Sequence, residues 1–355
     1  MFSHQYINAA EKILAAQIGY AYTTKLPSRK TWDRLGIPYD SSTANAEYPL
    51  YGIEIEVEGV NENLPWDNVD GIWHPKEDGS LREFGREYTS LPMPKSFIVP
   101  AVQLLREHLV HWKMSHRCST HVHVDVRYLT LAQALRMVLI YALVEPLLFK
   151  YCKDRRDNNF CVGLENTDDL HSMLETIVHA GHADPHLNKY SALNILPSFP
   201  NLADVPLYGT FEFRHLHGTL DVAEIMQWVD FLHRIRMSAV KLESKWLFER
   251  IAQMNIDSSY LYVLHRIFEE HTDALLKDTP MQDLPSLLEK HVSRVKQSIV
   301  LNPLAQRFAL IEPSNPSDYL EMLRKIYKPK KGSIQMAHSV AWTDIIIDPP
   351  SPSGV

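Results

Sequence analysis

Carboxylates, imidazoles and a guanidinium recur in this chain at every second residue of short runs that are otherwise apolar. That spacing sets chemical groups side by side on one face of a β-strand. In GIEIEVEG, from Gly52, a period of two places Glu54, Glu56 and Glu58 on one side and Ile53, Ile55 and Val57 on the other. Three like charges on one face repel unless water or cations screen them, and hard oxygen donors of this kind suit Mg²⁺. CSTHVHVDV repeats the device with His121, His123 and Asp125 opposite Val122, Val124 and Val126. TFEFRHLHGTLD sets Glu212 and Arg214 opposite Phe211 and Phe213, and a guanidinium fork fits the oxygens of a phosphate or acyl phosphate.

Each run also has an ordinary reading. The glutamates can be a solvated face, Glu212 and Arg214 a surface ion pair, and His-x-His-x-Asp either a polar outer face or a zinc hydrolase site that activates water. No third soft ligand with zinc-like spacing accompanies the histidines, whereas carboxylates abound, which favours magnesium with one histidine assisting. Between the first two runs, Glu77-Asp78-Gly79-Ser80 is a turn signal whose Asp78 and Ser80 could hold an amino group or hydroxyl, and Glu87 follows on the next strand. Lys189 and Tyr190, in NKYSALNI with Asn194, offer a further phosphate or substrate contact.

These groups need strands to carry them. Alternation predicts strands over 52–59, 83–90, 121–128 and 210–216, with a fifth over 190–196. Helices are expected over 5–18, 95–113, 131–152, 168–180, 222–251, 259–276 and 284–299. Strands with half-polar faces interleaved with helices predict an α+β fold built on an antiparallel sheet. The divisions expected are an N-terminal helix and loop over 1–50, a catalytic domain over 51–240, a helical extension over 241–332 that packs on it, and a tail over 333–355.

With 355 residues, 45% of them apolar, the chain can bury a large core. A net charge of -7 supplies no positive field for nucleic acid. Cys118, Cys152 and Cys161 form no C-x-x-C pair, which argues against a disulfide framework or a thiolate zinc site. The first residues lack the pattern of a signal peptide, and no later stretch is expected to be long and apolar enough to span a bilayer, since the longest, 131–149, is interrupted by Gln133, Arg136 and Glu145. A soluble cytoplasmic protein with no membrane partner is expected, and a homo-oligomer is compatible with this reading.

Taken in order, GIEIEVEG, DGSLREFGREYTSLP from Asp78, HVHVDV from His121, KYSALNI from Lys189 and TFEFRHLHGTLD from Thr210 resemble the amidoligases, relatives of the glutamate-cysteine ligase and glutamine synthetase group. The resemblance covers roughly residues 51–240. It implies a curved antiparallel sheet that binds ATP and Mg²⁺, and a ligase that joins a carboxylate, such as glutamate or another amino acid, to an amine through an acyl phosphate; the alternatives are the zinc hydrolase and a noncatalytic scaffold that keeps the ligase fold. By the same resemblance Glu54, Glu56, Glu87 and Glu212 are cation ligands, with His121 or His123 beside the metal and phosphates. Arg214 is the phosphate contact. Beside these, Asp78 and Glu87 are expected to join it in catalysis, and Asp78, Ser80, Tyr190 and Asn194 to contact substrate. Lys189 departs from the family, which often has arginine before the tyrosine, so bidentate recognition is lost there.

Overall fold

The computed structural model describes residues 49–301, apart from 83, 127–128, 154, 156–157, 165–166, 179–189, 199–208 and 255–257. The helix expected over 5–18, Lys189 and everything after 301 therefore lie outside the described residues.

Strands β1 (Leu50–Gly59), β2 (Trp73–Lys76), β3 (Gly85–Ser90), β4 (Met93–Pro94), β5 (Trp112–Lys113), β6 (Ser119–Asp125), β7 (Leu193–Asn194) and β8 (Thr210–His217) form one sheet. Its order is β2-β3-β1-β6-β8-β7, with β4 and β5 also paired to β1. All these pairings are antiparallel. The helices are α1 (Ile98–His108), α2 (Leu131–Tyr151), α3 (Thr167–Val178), α4 (Val222–Lys241), α5 (Ser244–Gln253), α6 (Ser258–Phe268), α7 (Thr272–Leu276) and α8 (Leu284–Leu301). The fold is α+β with an antiparallel sheet, as the alternation predicts.

The apolar alternates do what their spacing requires. Ile53, Ile55, Val57, Val122, Val124, Phe211 and Phe213 enter one buried cluster with Val138 and Leu147 of α2 and Trp228 and Phe231 of α4. Polar ties fix helices to sheet. Tyr51 Oη lies 2.7 Å from His233 Nδ1, Arg236 Nε donates to the Asp125 carbonyl at 2.7 Å, and Trp73 Nε1 donates to the Ala101 carbonyl at 2.8 Å.

Several expected boundaries move. The helix expected over 95–113 ends at His108, because Leu109 turns extended (φ -82°, ψ 127°), and Trp112–Lys113 instead pairs with β1. β2 escapes the sequence reading because it has four residues and contains Pro75. The single helix expected over 222–251 breaks at Leu242 and Glu243, both extended. Buried Arg136 of α2 closes that break. Its Nε donates to the Ala239 carbonyl at 2.7 Å and its Nη1 to the Ser244 hydroxyl, satisfying groups at the end of one helix and the start of the next.

One expectation is corrected. Helix Ala132–Tyr151 is long and apolar enough to cross a membrane by length and composition, despite Arg136 and Glu145. In the fold it is a largely buried core helix, started by a capping box between Thr130 and Gln133.

Candidate active site

The polar alternates of separate strands become neighbours through register. Glu56 pairs with Glu87 across β1 and β3, and Glu54 with His121 across β1 and β6. His123 pairs with Glu212 across β6 and β8, and Glu212 with Asn194 of β7. Gly52 stands opposite His123, where an added Cβ would lie 3.3 Å from the histidine Cβ; the missing side chain leaves the imidazole its room. This face is not the solvated surface that isolated strands would suggest: Glu54 is 9% exposed, Glu56 3% and Glu212 4%. Buried ionised carboxylates are costly unless paired or bound to cations.

Two groups of ligand atoms result. Glu54, His123 and Glu212 each bring one within 4.8 Å of the others, and Glu56, Asp78 and Glu87 do the same. In the first group His123 Nε2 lies 3.3 Å from Glu54, while His123 Nδ1 is 2.9 Å from the Thr210 hydroxyl. Asn194 donates to Glu212 at 2.8 Å, and Arg214 donates to the other oxygen of Glu212 and, through Nε, to the Phe160 carbonyl at 3.0 Å. In the second group Asp78 is set by a turn in which it accepts the Ser80 N–H at 2.6 Å. Glu87 accepts from Thr89 at 2.9 Å and from Lys76 at 3.4 Å. His121 joins the two groups: Nδ1 is 3.3 Å from both Glu54 and Glu212, and Nε2 is 3.9 Å from Glu56.

The electrostatics record crowded negative charge. Burial raises the Glu87 carboxyl to about 7, with the charge of Glu54 adding to the rise. Burial also pushes Glu56 up, against the pull of His121 and the Ser119 hydrogen bond. Burial works on Glu54 in the same sense, yet His123 and His121 outweigh it and hold that carboxyl well below the usual range. His123 is raised because Glu54 overcomes the opposing effect of burial. Arg214 is raised likewise, with Glu212 foremost among the acids that outweigh its burial.

Of the residues singled out in the sequence, Glu54, Glu56, Asp78, Glu87, His121, His123, Asn194, Glu212 and Arg214 meet on this face. Ser80 sits at the turn, where its carbonyl accepts from Arg117 at 3.0 Å. Tyr190 packs edge-on against Phe160 at 5.3 Å, next to the carbonyl that holds Arg214. Asp125 shares the strand with the histidines, but neither group of ligand atoms found among the described residues includes it, so the zinc-hydrolase reading draws no support from the geometry. Ser119 and Thr210 were missed. Each lies two residues before a chosen one, His121 and Glu212, so carrying the period of two one step back along each strand finds them.

Comparison with known proteins bears on this face directly. Residues 96–236 match the family described as "Putative amidoligase enzyme". The amidoligase match takes in β6, β7 and β8 with Ser119, His121, His123, Asn194, Glu212 and Arg214, while β1 to β3, with Glu54, Glu56, Asp78 and Glu87, precede it. No curated protein matches the chain. A solved structure titled "Crystal structure of novel glutamine synthase homolog" is similar at 13% identity and a TM-score of 0.33, over 79% of this chain and 71% of that one. A score at that level does not establish a shared fold.

Proposed function

We propose that this protein is a carboxylate-amine ligase that uses ATP with Mg²⁺ and forms its amide bond through an acyl phosphate. The reading rests on the convergence of five carboxylates, two imidazoles and Arg214 at one sheet face, in a chain whose residues 96–236 match an amidoligase family. The donor chemistry fits divalent cations. Glu56, Asp78 and Glu87 offer only oxygen, as Mg²⁺ prefers, and Glu54 and Glu212 offer oxygen beside the His123 nitrogen. Bound there, the cations would neutralise the triphosphate of ATP.

In this reading a carboxylate oxygen of the acid substrate attacks the γ-phosphorus and ADP leaves. The amine nitrogen then attacks the acyl carbon, phosphate departs, and the amine proton passes to a base. The protein supplies positioning and charge rather than covalent chemistry. Arg214, tied to Glu212 and Phe160, would hold the oxygens of the transferred group, and Asp78 would orient the amine. An amino acid such as glutamate is the acid we favour.

Phosphate release from ATP with Mg²⁺ and a panel of amino acids and polyamines tests the proposal. Turnover that requires both an acid and an amine is expected, and Glu212→Gln should abolish it while leaving the circular dichroism unchanged. Turnover unaffected by Glu212→Gln would remove the site from the mechanism.

A further inference from the structure

Ser119 touches one group of ligands and the imidazole that joins the two, without belonging to either group. It is buried at the start of β6, and its backbone N–H donates to Glu56 Oε2 at 2.7 Å. Its hydroxyl contacts that same oxygen and also lies 2.7 Å from His121 Nε2. A hydroxyl has one proton to give, and an oxygen that already accepts a backbone N–H takes it as an acceptor. The contact with His121 must then run the other way, with ring N–H donating to hydroxyl oxygen. That donation sets the ring's orientation, in which Nδ1 lies within hydrogen-bond reach of Glu54 at 3.3 Å and 3.3 Å from Glu212.

We propose that Ser119 is a positioning residue: by accepting from His121 Nε2 it turns Nδ1 toward Glu54 and Glu212, where, in place of its hydrogen bond to Glu54, it ligates a cation held by those two acids. The proposal rests on the cation sites put forward above. A hydroxyl that orients a ligating imidazole acts through geometry, and loss of such an outer partner costs about 10–100-fold in metal affinity. Because the hydroxyl also holds Glu56, Ser119 ties the placement of a ligand in the second group to that of His121, which lies between the two groups.

Two measurements on the full chain test this. Mn²⁺, standing in for Mg²⁺, is titrated with the free ion followed by electron paramagnetic resonance. Ser119→Ala should weaken uptake by about 10-fold or more, and Ser119→Thr, which keeps the hydroxyl, should recover most of the loss. Uptake by Ser119→Ala within about twofold of wild type overturns the role of Ser119 while leaving the cation sites standing. A wild-type chain that takes up no Mn²⁺ overturns the cation sites and this proposal together. The second measurement needs no Ser119 variant to fold: nitrogen-15 spectra of histidine-labelled, Mg²⁺-saturated wild type, with the His121 signal assigned by its loss in His121→Asn. The expected ring carries its proton on Nε2 alone, and a proton on Nδ1 overturns the proposal.

Discussion

Arg214 illustrates how much one side chain contributes through shape rather than charge. Its fork spans two acceptors, the Glu212 carboxylate and the Phe160 carbonyl, which a single ammonium cannot reproduce in the same plane. Arg214→Lys is therefore expected to lower turnover by about 100-fold in the phosphate-release assay, even though the charge is kept. Arg214→Ala should cost at least as much, and a lysine variant with wild-type turnover would leave the fork without a role. At this scale the sequence was informative wherever a residue type is unusual on a strand. Glutamates at every second position, or His-x-His, invite a question that Ser119 and Thr210 do not, because hydroxyls are ordinary on strands and their importance lies in which ring nitrogen they touch. Burial of the acids was not legible either, since alternation marks a polar face whether or not anything covers it.

Elements were readable where their period was sustained and lost where they were short. β1, β6 and β8 follow from alternation, and α2 and α4 from helical spacing, whereas β2, β4 and β5 have two to four residues each and exist only because β1 and β3 offer them partners. The packing of α4 on β1 carries a titratable contact, His233 on Tyr51. Burial, aided by Lys95, Arg236 and Arg234, lowers the His233 imidazole to about 4. The unfolded chain, with an ordinary histidine near pH 6.5, then binds more protons than the fold between those values. Stability from this contact is complete above about pH 6.5 and is lost as pH falls toward about 4. Urea midpoints at pH 7.5 and pH 4.5 should differ more in wild type than in His233→Gln, and an equal difference would exclude His233 as a source of the acid sensitivity.

For the whole molecule, the residues beyond the amidoligase match are tied to its core. The buried cluster runs from Tyr51 to Val295, Tyr260 of α6 donates to the Leu143 carbonyl at 2.9 Å, and His291 of α8 meets the Ala142 carbonyl. A chain ended after Lys241 loses those contacts and the Ser244 hydroxyl that Arg136 holds. It should be cleaved by protease far faster than a chain ended at Leu301, and equal resistance would show the last helices to be dispensable. The apolar length of α2 has one more effect. During synthesis this helix emerges before β8 and α4, the elements that later cover it, have been made. A lipid bilayer could compete for it in that interval. Arg136 and Glu145, whose finished partners are the Ala239 carbonyl and the Leu164 N–H, weigh against such capture, since ionisable side chains inside a bilayer are costly. The same two side chains that tie the mature helix to its neighbours thus also make a bilayer a poorer refuge for the nascent one.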